Sequence, residues 1–363
     1  MSASSPEPIW GFPRGPSLLP TYGGGRRGDA LHERMMLELC FDGHEARWSD
    51  ALIVRTRRHI GGCFATLERE IRQELEKTLV DGLDVANALP PDYCWRAIQR
   101  RPAIVSAALL RHCRDRAALS LMGQEAADIP AALAEIGRDG WLPADLADTL
   151  RMITTMVAEW LDTSPDHVPM PAQLPAELMR DLVWSVSALI TDALVRTDLL
   201  PTLEMVALVH RAGKAVLERY DEQESPLAHA ALFALRLRGA AIGDEAFLWL
   251  ARNRHILPLL ALIADRNGIQ LRHVISTSVE GAEQMLFQLC RAAGLPREAA
   301  VRLVLARRGV ARGVDDAALI EYSDQYDSLS RADAHAATMT LTLDEIYRER
   351  LTALSHWGAK DDG

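Results

Sequence analysis

Three stretches of the chain set chemistry-bearing residues side by side, and each lacks a member. A helical zinc peptidase needs two histidines four apart around a glutamate. Here His32-Glu33 meets Met36 where the second histidine would stand, which removes a ligand. Helical isoprenoid enzymes hold Mg²⁺ between aspartates four apart. Asp315-Asp316 is followed by Ala317-Ala318-Leu319, so the second set of oxygens is missing. Gly23-Gly24-Gly25 follows no strand and precedes no P-loop lysine, and no GxGxxG or GxSxG pattern occurs, so neither a phosphate-cradling loop nor a hydrolase elbow is encoded locally. Asp166 and His167 have no third ligand at helical spacing, and the 11 histidines are dispersed. They read as solvated or satisfied helix residues. The sequence therefore predicts no catalytic residue, cofactor or metal, and a protein that is not an enzyme.

What does cluster is arginine. Arg55, Arg57, Arg58 and His59 stand together, followed by Arg100-Arg101 and then Arg111, Arg114 and Arg116. Arg111 and Arg114 are three apart and share a helical face. Side by side, these guanidiniums would line a basic groove for phosphate or an acidic partner. The competing reading is a set of solvated arginines among interleaved acids. Trp184 is a second candidate contact. In the run 176–197, Leu178, Leu182, Val186, Leu189 and Ala193 trace one apolar stripe, and Trp184 falls about 160° from its centre. It either packs on a further helix or awaits a partner.

Charge limits the partners. The net charge is −10, but residues 1–120 hold 17 Lys+Arg against 15 Asp+Glu, while 121–240 hold 9 against 18. An acidic middle repels a phosphate backbone, so nucleic-acid binding is confined to the Arg-rich first third. Cys40, Cys63, Cys94, Cys113 and Cys290 form no CxxC pair and number five. They read as reduced, buried thiols of a cytoplasmic protein. No apolar run reaches the roughly 18–20 residues of a membrane span, and the first residues lack a signal peptide's basic and apolar regions.

The elements that must position these residues are helices. Apolar residues make up 48% of the chain and aromatics 6%, with Leu, Ala and Arg abundant, a bias that favours helix over strand. Residues 1–28, rich in Ser, Pro and Gly, read as a disordered tail carrying Trp10, Phe12 and Tyr22. Residues 29–161 form a first helical domain. Ser49 caps a helix through Ile60, and a second run from Phe64 to Val80 puts Leu67, Ile71, Leu75 and Leu79 on one face, with Glu68, Glu70, Glu74 and Glu76 read as solvated. Shorter helices follow at 92–100, 103–112, 114–122, 125–137 and 144–161. Residues 162–175, DTSPDHVPMPAQLP, hold four prolines and read as a solvated linker between domains. The second domain, 176–310, is punctuated by Ser225-Pro226, Gly239, Asn267-Gly268, Gly294 and Gly309, the start and stop signals of helices of 8–14 residues. Residues 311–357 add terminal helices, with Thr342 and Glu345 matching a capping box, and 358–363 form a polar tail. Helices this short do not persist alone in water. They must stack, and stacking predicts an all-α, HEAT-like α-solenoid.

The stretch from Ala231 to Gly309, ALFALRLRGAAIGDEAFLWLARNRHILPLLALIADRNGIQLRHVISTSVEGAEQMLFQLCRAAGLPREAAVRLVLARRG, resembles a bacterial family, domain of unknown function 2336 (DUF2336), whose members look like degenerate HEAT-type repeats. LCRAAGLPREAAVRL, Leu289 to Leu303, carries the likeness best. GGCFATLEREIRQEL and RRPAIVSAALLRHC in the first half are similar more weakly. The resemblance implies helical-repeat architecture and, by analogy, an adaptor role, and it brings no catalytic residues. The leading expectation is a scaffold holding a protein partner. The alternatives are nucleic-acid binding through the first third and an enzyme whose site is assembled from distant residues.

Overall fold

The computed structural model describes residues 48–78, 88–123, 128–138, 140–197, 200–238, 243–310 and 316–344, with 347, 348, 350 and 351. Residues 1–28 with Trp10, Phe12 and Tyr22, and also His32, Cys40, Gly239, Asp315, Glu345 and the tail 358–363, lie outside the described residues. Within them the protein is all-α, with no strand. The first half comprises α1 (Asp50–Thr78), α2 (Tyr93–Arg100), α3 (Ala107–Met122), α4 (Ile129–Glu135) and α5 (Ala144–Ala158). The second comprises α6 (Ala176–Val195), α7 (Thr202–Arg219), α8 (Pro226–Leu237), α9 (Asp244–Arg252), α10 (Ile256–Asn267), α11 (Leu271–Glu280), α12 (Glu283–Ala293), α13 (Arg297–Ala306), α14 (Asp316–Gln325) and α15 (Arg331–Thr338).

Local capping chemistry sets many of the ends. The Ser49 hydroxyl accepts from the Leu52 amide (3.2 Å), and Ser225 does the same for Ala228 with Pro226 at the first helical position. Gly268 and Gly294 close α10 and α12 in the left-handed conformation, φ 64° and 80°. The terminal cap differs from expectation. Thr342 lies in a 3₁₀ turn and donates to the Met339 carbonyl (2.7 Å), while Asp344 accepts from the Tyr347 amide (3.4 Å).

Two helix breaks expected from the sequence are absent. α1 runs unbroken through Gly61-Gly62, and α3 replaces the two helices expected at 103–112 and 114–122, capped by Ser106 through the Leu109 amide (3.3 Å). Glu68 is not solvated. It is 1% exposed and accepts from the Cys94 amide (2.9 Å), while Arg72 pairs with it and donates to the Leu89 and Pro90 carbonyls. That arrangement fastens α2 to α1.

The buried residues form two cores, and residues 162–175 do not divide them. One core joins α1 from Ile60 to Leu75 with α2, the start of α3, α6 and α7. The other joins Leu52, the end of α3 and α5 to α8–α14. Both α1 and α3 serve both cores. Contacts also link distant parts of the chain: α1 packs on α7 and α3 on α11, and the Ser49 amide donates to the Val310 carbonyl (3.0 Å). Repeats of a linear array touch only their neighbours; these helices do not.

Candidate functional site

The proline-rich segment is the organising feature. Proline has no N–H and resists helix, so the carbonyls around it lack helical donors, and a buried carbonyl needs one. Donors come from α1 and α3. Arg55 Nη1 reaches the Trp160 and Asp162 carbonyls (3.3 and 3.2 Å). Arg58 Nη1 donates to Val168 O (2.8 Å) and Nη2 pairs with the Asp162 carboxylate. Arg57 pairs with Asp166 (2.7 Å). Thr66 Oγ1 donates to Met170 O (2.6 Å) and accepts from the Met170 amide (3.0 Å), which also reaches Gly62 O (3.2 Å). Arg116 Nη1 donates to Pro171 O and Ala172 O (3.1 and 2.7 Å). Residues 162–175 are thus a strap seated on α1, not a solvated linker; Met170 and Leu174 are 2% and 0% exposed.

Gly61 and Gly62 make the seat possible. A Cβ at Gly61 would collide with the Asp166 carbonyl, and one at Gly62 would lie 2.6 Å from Met170 Cβ. Their place in the middle of α1 costs helix propensity and permits close approach of the strap.

Beneath the strap lies a closed polar group. His59 Nδ1 accepts from Arg116 Nε (3.2 Å) and Nε2 donates to Trp160 O (3.0 Å), the pattern of a neutral imidazole. Burial first, and then Arg116, holds its pKa well below the ordinary value. Hydrogen bonding with Cys113 brings the Cys63 thiol down to about 7 against its burial, with Arg116 assisting, while Cys113 is pushed up. His59, Cys63, Cys113 and Arg116 are each 1% exposed or less. Asp162 is desolvated, but Ser164 and Arg58 hold it down at about 2.

The outer edge of the strap forms one wall of an open groove of about 1010 Å³. α1 supplies Glu70, Gln73 and Lys77. The end of α5 and the turn after it supply Met152, Met156 and Glu159, and the α7–α8 connection supplies Arg219, Asp221 and Glu224. Four carboxylates therefore face two cations, and both cations are already shared with Glu74 (2.6 Å each). Glu159 accepts from Gln173 (3.1 Å) and Asp221 from the Gln223 amide (2.8 Å). Glu70 is half-buried and accepts no hydrogen bond among the described residues. Burial raises its pKa, with Arg219 and Arg69 opposing. Gln173, at φ 46°, is a non-glycine residue in the left-handed region, which is a strained conformation. Its Oε1 accepts from Trp160 Nε1 (2.7 Å).

A second, smaller cleft of about 310 Å³ lies between α2 and the end of α6. Arg96, Arg100, Arg101, Arg196 and one carboxylate, Asp192, ring it, and Leu89, Pro90, Tyr93 and Leu189 form its walls. Arg96 pairs with Asp92 (2.8 Å) and Arg196 with Asp192 (2.6 Å).

The structure scatters the residues singled out from sequence. Arg55, Arg57 and Arg58 hold the strap, and Arg100 and Arg101 stand exposed at the small cleft. Arg114, expected on a helix surface, is 1% exposed; it pairs with Asp115 and Glu280 and lies 5.1 Å from the Trp48 ring. Arg111 is half-buried on the same helix. Trp184 stacks on His210 of α7 (5.1 Å between ring centres, 12° between planes), which is the packing role. Sequence reading missed the groove carboxylates Glu159, Asp221 and Glu224, whose elements share no fixed spacing. Glu70, read as solvated, is half-buried, and local spacing pairs Glu70 with Gln73 and Asp221 with Glu224 without bringing the two pairs together. Cys63, Cys94, Cys113 and Cys290 are buried free thiols. Among the described residues no helix is long and apolar enough to cross a membrane.

Residues 167–338 match the sequence model of a family described as an uncharacterised protein conserved in bacteria (DUF2336). The match begins within the strap and ends at α15, so it contains the Ala231–Gly309 stretch; the weaker similarities of the first half fall outside it. No curated protein and no solved structure matches the chain.

Proposed function

We propose, from the premise that residues 167–338 match the DUF2336 sequence model, that the protein is a non-enzymatic interaction scaffold or adaptor whose acidic groove holds a basic segment of a partner protein. One observation carries this reading: a groove of about 1010 Å³ in which Glu70 is half-buried and, among the described residues, without a hydrogen-bond donor, while neighbouring carboxylates outnumber the cations that line it. A desolvated carboxylate gains when a cation reaches it. The volume sits at the upper limit of small-molecule sites, roughly 300–1,000 Å³, and suits a peptide segment. Methionines adapt to varied side chains, and Met152 is 40% exposed here.

The closed state of the His59–Cys63–Cys113–Arg116 group supports the non-enzymatic reading, because a substrate has no access to it. Arg55, Arg57 and Arg58 are engaged by strap carbonyls and carboxylates, so they do not form the basic groove that a nucleic-acid reading needs.

The test is affinity purification of the full-length chain from its native host, in parallel with a Glu70→Lys, Glu224→Lys variant of unchanged melting temperature. A stoichiometric protein partner retained by the wild type and lost from the variant is the expected outcome. A monomer without a partner, or a partner held equally by both forms, contradicts the proposal.

A further inference from the structure

The small cleft between α2 and α6 is independent of the groove, and its charge balance is opposite. Arg96 and Arg196 each have a carboxylate partner, whereas Arg100 and Arg101 have none among the described residues. Both are exposed side chains on a rigid base. α2 is anchored through its buried Cys94, Trp95 and Ile98, through Glu68 to its Cys94 amide and through Arg72 to the Leu89 and Pro90 carbonyls. The C-terminal end of α2 offsets roughly half a unit of positive charge, so among the described residues more than one full charge remains uncompensated.

We infer that this cleft binds a small phosphomonoester, with Arg100 and Arg101 holding the phosphoryl group and the Tyr93, Pro90 and Leu189 walls taking an apolar or aromatic body. Two guanidiniums without a carboxylate partner among the described residues match the roughly −1.5 to −2 charge of a phosphomonoester, and a planar guanidinium donates to such oxygens in pairs. A carboxylate leaves one of the two unmatched. The volume of about 310 Å³ lies at the lower end of small-molecule sites. A long polyanion is disfavoured, because the chain as a whole carries −10 and repels an extended phosphate backbone.

The experiment titrates the full-length protein by calorimetry with phenyl phosphate, inorganic phosphate and benzoate at one ionic strength, alongside an Arg100→Ala, Arg101→Ala variant. Phenyl phosphate should saturate a single site, with inorganic phosphate weaker and benzoate at least about tenfold weaker. The double variant should keep its melting temperature, since both side chains are exposed, and lose at least about tenfold in phenyl phosphate affinity. Equal affinity in wild type and variant, benzoate as tight as phenyl phosphate, or no saturable binding overturns the inference. So does duplex DNA retained at moderate salt by the wild type and not by the variant, which assigns the cleft to nucleic acid.

Discussion

Arg58 and Arg116 beneath the strap and Arg100 and Arg101 at the small cleft come from the same stretch of sequence, yet their surroundings differ in one respect. Buried carbonyls of the proline-rich segment lie within reach of the first pair and not of the second. Arg116 touches two strap carbonyls and is 1% exposed, whereas Arg100 and Arg101 face water. Clustered arginine is therefore not by itself a binding signal. A proline-rich segment elsewhere in the chain creates unsatisfied acceptors, and part of a chain's arginine answers that demand. The arginines left over are the ones available to a ligand.

The largest effect should come from Arg116. Arg116→Met leaves the Pro171 carbonyl and His59 Nδ1 without a donor and the Ala172 carbonyl with only the weak Cys63 thiol (3.9 Å), and is expected to lower stability by about 3–5 kcal/mol in urea unfolding. Arg116→Lys should recover only part, because an ammonium cannot span the same acceptors. A loss below about 1 kcal/mol would erase the contrast between the two groups of arginines.

Acid should act on the buried histidines and leave the cleft untouched. His255, 4% exposed, is brought down to about 4 by burial, and His59 is lowered well below its ordinary value. Below about pH 6.5 the unfolded chain takes up protons that the folded chain refuses, so stability is complete above that pH and falls toward pH 4. For His255 the loss is up to about 3 kcal/mol, read from urea midpoints between pH 7 and 4.5. A flat profile would contradict buried neutral imidazoles.

Gly61→Ala ranks next. The added methyl meets the Asp166 carbonyl, and overpacking of this kind costs about 1–3 kcal/mol. Limited proteolysis should show faster cleavage within 162–175; an unchanged rate would mean the strap does not need this seat. Arg57→Ala, by contrast, removes an ion pair whose arginine is 41% exposed, and should cost less than about 1 kcal/mol in the same unfolding assay.

The helices were legible because their signals are local. Ser225-Pro226, Asn267-Gly268 and Gly294 each fix an end through atoms a few residues away, so the stretch from Ser225 to Gly309 reads nearly element by element, whereas α7 (Thr202–Arg219) has no such signal at its start and is not read from the sequence. The angle of Trp184 to the apolar stripe left packing and partner contact both open, and only the placement of α7 puts His210 against its ring. The strap was not legible for the opposite reason. Four prolines say that no helix crosses 162–175, and they are silent on whether its carbonyls are buried, which depends on Arg55, Thr66 and Arg116 more than 40 residues away. Gly61-Gly62 reads as a helix break until a close neighbour explains it. Glu68 and Arg72 look like an ordinary surface pair until the Cys94 amide is brought to the carboxylate. The groove carboxylates come from α1, the turn after α5 and the α7–α8 connection, so no spacing rule unites them.

Native-state hydrogen exchange at the Met170 amide is the most direct test that the proline-rich segment is a fixed wall of the groove. This N–H donates to Gly62 O and Thr66 Oγ1 and sits in a residue that is 2% exposed. It should exchange at a rate set by global unfolding, and far faster in Arg116→Met. Exchange at the rate of an unstructured peptide in the wild-type protein would show a free linker, and the seated strap and the groove wall it forms would both be wrong.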